Sequence, residues 1–155
     1  MAPEQDPFIE NLSHLKQTDP VQMDDAATYG EVLGVLQKKR IGSILLCHDG
    51  QVTGIFTERD ILNKSVLENT PPDTPIKNLM TKKPITIECD KTIGDAIKLM
   101  HTKHIRNLPM VDKDGSLVGL LTVGRLIRFL ASVFPAEVVN LPPQPNQITT
   151  EVEGA

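Results

Sequence analysis

Gly54-Ile55-Phe56-Thr57-Glu58-Arg59-Asp60-Ile61-Leu62 reads as a strand end, a hydroxyl residue, two charges, a carboxylate and the start of a helix. The strand runs from Val52 to Phe56. Thr57 stands where a helix N-cap belongs, and Asp60 follows at N3, so the pair suits a strand-to-helix turn. Gly54 lacks a Cβ and lets another group approach the backbone, and the amides of a helix N-terminus attract anions. A hydroxyl and a carboxylate at that mouth suit a phosphate and a ribose diol respectively, while capping alone explains the same two residues. The stretch has a partner. Gly119-Leu120-Leu121-Thr122-Val123-Gly124-Arg125-Leu126-Ile127 repeats it, with an arginine where the carboxylate stood.

Working outward, Asp49-Gly50 is a hairpin signal and Ser43 to Cys47 an aliphatic run that reads as a buried strand. Thr28 and Glu31 make a capping box ahead of Tyr29, Val32, Leu33 and Leu36, which share one helix face. Lys38, Lys39 and Arg40 close that helix with charges suited to its C-terminus. Val21-Gln22-Met23 reads as a short strand. Phe8, Ile9, Leu12 and Leu15 fall at the spacing of an amphipathic lead-in helix that Thr18-Asp19-Pro20 breaks. Beyond the central stretch, Ile61, Leu62 and Leu67 are the expected buried members of the second helix. Asn69 to Pro75, with its prolines, is a linker.

The same order then returns. Leu79 answers Leu15, Pro84 answers Pro20, Ile85 answers Val21 and Gly94 answers Gly30, each 64 residues on. Thr92 and Asp95 repeat the cap, Ile93, Ala96, Ile97 and Met100 the apolar face, and Leu108 to Val111 the buried strand. Asp114-Gly115 repeats the hairpin at an offset of 65, so the second turn carries one extra residue. So many agreeing offsets mark an internal duplication. Each β-α-β-β-α copy spans roughly fifty residues, marginal alone, so two copies are expected to pack as one mixed α/β (α+β) module with pseudo-two-fold symmetry. The expected boundaries are a lead-in segment at 1–11, copies at 12–69 and 76–133, and an extended proline-rich tail at 134–155.

Composition narrows the classes. The chain has 155 residues, 39% hydrophobic, with four Phe, one Tyr and no Trp, so its core must be aliphatic. A net charge of −4 argues against general nucleic-acid binding, which needs a basic footprint. The acidic start, Met1 to Asp6, lacks the apolar run of a signal peptide, and no run approaches the roughly 18 apolar residues of a membrane span. Cys47 and Cys89 lack the spacing of a metal or redox motif, so reduced thiols in a cytoplasmic protein are expected. His101 and His104 have no third ligand nearby, and His48-Asp49 is a turn without a nucleophile. No metal site, catalytic triad or Walker loop is read, so the chain is not expected to be an enzyme.

A duplicated β-α-β-β-α unit ending in this glycine–threonine–carboxylate pattern resembles a tandem pair of cystathionine-β-synthase (CBS) domains. Both copies also carry an aliphatic run before an acidic hairpin turn, clearest in Ile105-Arg106-Asn107-Leu108-Pro109-Met110-Val111-Asp112. The resemblance covers about residues 12 to 133 and implies a sensor. Such modules bind AMP, ADP or ATP, and less often S-adenosylmethionine or NAD, between the two copies. They commonly form homodimers and regulate an attached or separate protein.

Carried over to this sequence, the resemblance implies that Asp60 takes the ribose hydroxyls and Thr57 faces the phosphate, with Gly54, Ile55 and Phe56 beside them. The base would rest on Thr81, Pro84, Ile85, Thr86, Leu108, Pro109 and Met110, and Arg106 would meet phosphate. A second, weaker site would use Thr122 and Arg125 with Gln17, Pro20, Val21, Gln22, Ser43, Ile44 and Leu45. There an arginine cannot accept from a diol. The competing expectation is a dimerising interaction module whose nucleotide sites have decayed. In either case the regulated partner is a separate, unidentified protein.

Overall fold

The Asp49-Gly50 turn sets the first sheet. Both residues are left-handed (φ 49° and 78°), as a two-residue hairpin requires to match strand twist. In this computed structural model, which describes residues 6–15 and 19–134, the turn joins β2 (Ser43–His48) to β3 (Gln51–Thr57). The two pair from Ser43↔Thr57 to His48↔Gln51, with a bulge at Leu46/Cys47. β1 (Gln22–Asp24) lies parallel to β2, and a parallel pair needs a crossover. That crossover is α1 (Tyr29–Lys39), opened by the predicted capping box: Thr28 N donates to Glu31 (2.8 Å) and Glu31 N to Thr28 Oγ1 (3.3 Å).

The first copy continues through α2 (Glu58–Asp60). The second supplies β4 (Thr81–Lys82), β5 (Ile87–Glu88), α3 (Ile93–Lys103), β6 (Asn107–Val111) and β7 (Leu117–Thr122). β5, β6 and β7 form a sheet of their own, whereas β4 joins the first sheet beside β3, with Ile55 opposite Thr81. Equivalent residues of the two copies touch each other. Ser43 Oγ bonds Asn107 Oδ1 (3.3 Å) across the 64-residue offset, and Gln51 bridges Ser116 beyond the inserted hairpin residue. Contacts between equivalents place a local two-fold axis between the sheets. Leu45, Cys47 and Ile55 pack there against Leu117 and Leu120. A second cluster, with Val32, Leu36, Ile44, Phe56 and Ile76, fills the space under α1.

The straps that lead into each copy are exchanged. The linker crosses the start of α1, where Tyr29 N donates to Thr74 O, Gly30 N to Pro72 O and Ile76 N to Ala27 O (2.8, 2.8 and 3.0 Å). Residues 10–13 do the same for α3: Leu12 N bonds Lys91 O and Ile93 N bonds Glu10 O, both at 2.9 Å. Thr28 bridges Pro75 as Thr92 bridges Asn11, again at the duplication offset. Helix N-termini leave amides without intrahelical partners, and each strap supplies carbonyls to the other copy's helix.

Three expectations are corrected. The lead-in is not a helix but two 3₁₀ turns, Pro7–Ile9 and Leu12–His14, of which only Leu12 is buried. Glu10 O, Leu12 N and Ser13 N bond the backbone of the second copy. Thr81 belongs to the first sheet and not to the second copy's opening strand, and left-handed Lys83 (φ 49°) then turns the chain towards Pro84. After Asp60 the helix widens into a π-helical turn, Ile61–Val66. Leu62 and Leu67 are therefore 63% and 82% exposed, and Ser65 is turned inward at 2%. A π turn spans five residues, so the buried position below Asp60 passes to Ser65.

The chain divides into one body of residues 1–123 and a second of residues 124–155. α4 (Val123–Val133) carries most of the second body's described residues, with Leu126 buried. The 1–5 part of the lead-in and nearly all of the expected tail lie outside the described residues. Among the described residues, no helix is long and apolar enough to cross a membrane.

Candidate functional site

The strand-to-helix turn at Thr57 has the predicted cap in full. Thr57 N donates to Asp60 Oδ2 (3.0 Å), Asp60 N donates to Thr57 Oγ1 (3.4 Å), and the Thr57 hydroxyl also meets Oδ2 (3.2 Å). The other carboxylate oxygen is taken as well: Lys64 Nζ lies 2.9 Å from Asp60 Oδ1 and donates to Leu79 O at 3.0 Å. Asp60 is 9% exposed, and burying a carboxylate is costly unless it is paired and hydrogen-bonded. Thr57 and Lys64 meet that demand.

Three amides of the turn, those of Thr57, Glu58 and Asp60, are engaged within the protein. Glu58 N is bonded to Gly42 O (3.0 Å), and the amides of Thr57 and Asp60 are used by the cap. Gly54 also serves a different purpose from close ligand approach. A Cβ there would lie 2.3 Å from Met80 Sδ, so the glycine makes room for Met80.

Beside the turn lies a cleft of about 640 Å³ between the copies, within the range of small-ligand sites. Its apolar walls are Ile55, Leu62, Pro84, Ile85 and Ile105. Thr57, Asp60, Thr81, His104 and Asn107 supply polar groups, and Glu58, Arg59, Lys83 and Arg106 supply charge. A flat apolar slot, a paired carboxylate and a cationic rim are the chemistry a nucleoside phosphate would meet.

Of the residues expected at the main site, Ile55, Thr57, Asp60, Arg106, Thr81, Pro84 and Ile85 line this cleft. Gly54 and Phe56 are buried behind it, and Thr86 is exposed outside its lining. Leu108, Pro109 and Met110 are fully buried. They lie on β6, the central strand of its sheet, and are not among the residues that line the cleft. Sequence reasoning missed Glu58, Arg59, Lys64 and Ile105. The signal for Lys64 was its place four residues after Asp60, the spacing of a helical ion pair. His104 stood out in the sequence only as half of a histidine pair.

The second set is less assembled. Ile44 and Leu45 are fully buried core, Val21 is half-buried, and Gln22 is exposed on β1. The Ser43 hydroxyl is bonded to Asn107. Thr122 ends β7 opposite Asn107. Arg125 lies on α4 in the separate body, where burial and then the charge of Arg128 push its guanidinium below the usual arginine range. Gln17 lies outside the described residues.

A further charged group gathers at the parallel ends of β1 and β2. Asp24, Asp25 and His48 lie within 4.8 Å of one another, and Lys77 Nζ is 3.3 Å from Asp25 Oδ1. Burial alone would raise Asp25. Hydrogen bonds from Thr53 and Lys77, with the charges of Lys77 and His48, outweigh it and hold the carboxyl below its ordinary value. The neighbouring Cys47 thiol is pushed up by burial and by the Asp25 charge.

Comparison with known proteins follows the same pattern. The CBS domain family profile matches residues 12–67 and again 76–132. An uncharacterised protein of Methanopyrus kandleri is 31% identical over 120 residues, covering 76% of this chain and 61% of that one. The CBS domain-containing protein YhcV of Bacillus subtilis is 27% identical, over 74% of this chain and 84% of its own length. Among solved structures, CBS domain protein PAE2072 from Pyrobaculum aerophilum, complexed with AMP, superposes with a TM-score of 0.70. It is 28% identical and covers 79% of this chain and 99% of that one.

Proposed function

The chain belongs to the CBS domain family, and from that premise we propose that it senses an adenine nucleotide in the cleft beside Asp60 and signals to a separate protein. The observation that carries this reading is the convergence of Thr57, Asp60 and Arg106 on one cleft with apolar walls. A purine is held by aliphatic faces, with a few polar groups fixing its orientation. Asp60 accepts from the ribose hydroxyls, and Arg106, Lys83, His104 and Arg59 meet phosphate. The AMP complex of the P. aerophilum relative supports an adenosine ligand. AMP, ADP and ATP are favoured over S-adenosylmethionine and NAD because the rim of the cleft is cationic.

A thermal-shift panel of these five ligands on the purified chain tests the reading. A ligand at a hundred times its dissociation constant stabilises the native state by about 2.7 kcal/mol, and for a chain of this size each kcal/mol moves the midpoint by about 2–4 °C. A rise of several degrees with at least one adenine nucleotide is expected. A flat response to all five would favour the other reading, a dimerising interaction module with decayed sites. Arg125 in place of the second copy's carboxylate is the observation on that side.

The role is regulatory, not catalytic, and two unpaired thiols, Cys47 and Cys89, suit a reducing cytoplasm. In this reading two chains pair. Leu33 and Val35 on α1 and Ile97 and Leu99 on α3 stay partly exposed and would be covered by a second copy. Sedimentation equilibrium at tens of micromolar should give twice the mass of the chain, and a monomer with and without nucleotide would rule pairing out.

A further inference from the structure

We propose that Lys64 is the positioning residue of the cleft's ribose acceptor. Its ammonium holds one oxygen of Asp60 while Thr57 holds the other, so the carboxylate meets a ribose in one fixed orientation. The inference rests on the nucleotide reading of the cleft.

The geometry is specific. Asp60 Oδ2 is fixed by the Thr57 amide and hydroxyl at 3.0 and 3.2 Å, and Oδ1 by Lys64 Nζ at 2.9 Å. A carboxylate oxygen offers two lone pairs; Thr57 takes both on Oδ2, so Oδ1, with Lys64 on one, keeps the other for a ribose hydroxyl. Without Lys64, Oδ1 would be tethered by nothing among the contacts described here, and the carboxylate would be left to pivot about Oδ2, the oxygen that Thr57 holds. Holding a group in its working geometry before the ligand arrives removes that ordering cost from binding. Lys64 is itself anchored, because the same ammonium donates to Leu79 O at 3.0 Å. That carbonyl precedes Met80, the residue packed over Gly54. One side chain thus ties the turn of the first copy to the chain segment entering β4, and both flank the cleft. Lys64 does not line the cleft, so it acts through Asp60 and not by touching the ligand.

Isothermal titration of the full chain decides the point, with AMP, adenosine and 2′,3′-dideoxyadenosine monophosphate as probes. The variants are Lys64→Met, which keeps the aliphatic stem, and Lys64→Arg, which keeps charge and donors. Lys64→Met should weaken AMP and adenosine alike by about tenfold, part of the strength of a charge-assisted hydrogen bond. The dideoxy ligand, which has no diol to present, should lose less than about twofold. Lys64→Arg should restore most of the AMP affinity. An equal loss for AMP and the dideoxy ligand would reduce Lys64 to general support of the fold, and a loss for AMP that spares adenosine would make it a phosphate ligand. Either result, or no loss at all, overturns the positioning role while leaving nucleotide binding intact. A wild-type chain that binds none of the three probes overturns the nucleotide reading, and this proposal with it.

Discussion

Phe56→Ala should cost about 3–5 kcal/mol of stability, the usual loss for emptying a fully buried aromatic site. Phe56 is wholly buried and meets Tyr29 edge to face, with ring centres 6.1 Å apart. It sits in the cluster of Val32, Leu36, Ile44 and Ile76 that joins α1 to the first sheet. Domains of this size are stable by only about 5–15 kcal/mol, so the variant should approach the threshold of folding at physiological temperature. Leu67→Ala is the contrast. A buried leucine would cost about 2–5 kcal/mol, but Leu67 lies outside the core on the π-helical turn and should change stability by less than about 0.5 kcal/mol. Urea unfolding of both variants checks the pair. A large loss at Leu67 would mean that the helix continues in the α register the sequence suggested.

That contrast marks where the sequence was legible. Capping boxes, the Asp49-Gly50 hairpin and the buried aliphatic strands are local, and local chemistry determines them. Thr28, Thr57 and Thr92 all cap as their spacing predicts. The constant offset carried the architecture, because a duplicated unit must bury its exposed faces against its copy. The exchanged straps were not legible. Glu10 and Thr74 accept from the first amides of the other copy's helix through their carbonyls, and backbone carbonyls leave no side-chain signature. The π turn was missed for a related reason: α-helical spacing made Ile61, Leu62 and Leu67 the expected buried members, and the wider turn buries Ser65 instead.

The site was legible where one side chain does the work. Thr57, Asp60, Pro84, Ile85 and Arg106 reach the cleft from positions that the repeat defines. Leu108, Pro109 and Met110 carry the same apolar signal as a base-stacking wall, yet they lie on a central strand, and burial cannot be told from ligand contact by hydrophobicity alone. The Asp60–Lys64 pair was present as a spacing, but only its geometry shows that both carboxylate oxygens are held.

Asp60→Ala should abolish most nucleotide affinity, by about tenfold to a hundredfold or more. A carboxylate accepting from a diol makes charge-assisted bonds of about 1.5–3 kcal/mol each, and about 1.4 kcal/mol is one decade in affinity. The variant also removes the acceptor of Thr57 N, and losing half of a capping pair costs about 1 kcal/mol of stability. A fall in affinity could then be mistaken for a loosened turn. Asp60→Asn separates the two effects. Its amide oxygen can still cap Thr57, but it carries no charge for Lys64 and puts an NH2 donor where the ribose hydroxyl needs an acceptor. Thermal midpoints near wild type, with AMP binding still weakened at least about tenfold, would assign the loss to ribose recognition. Arg125→Ala should change AMP affinity by less than about threefold, since an arginine has nothing with which to accept from a ribose. Equal losses in the Asp60 and Arg125 variants, or full affinity in Asp60→Ala, would mean that the ribose is held elsewhere.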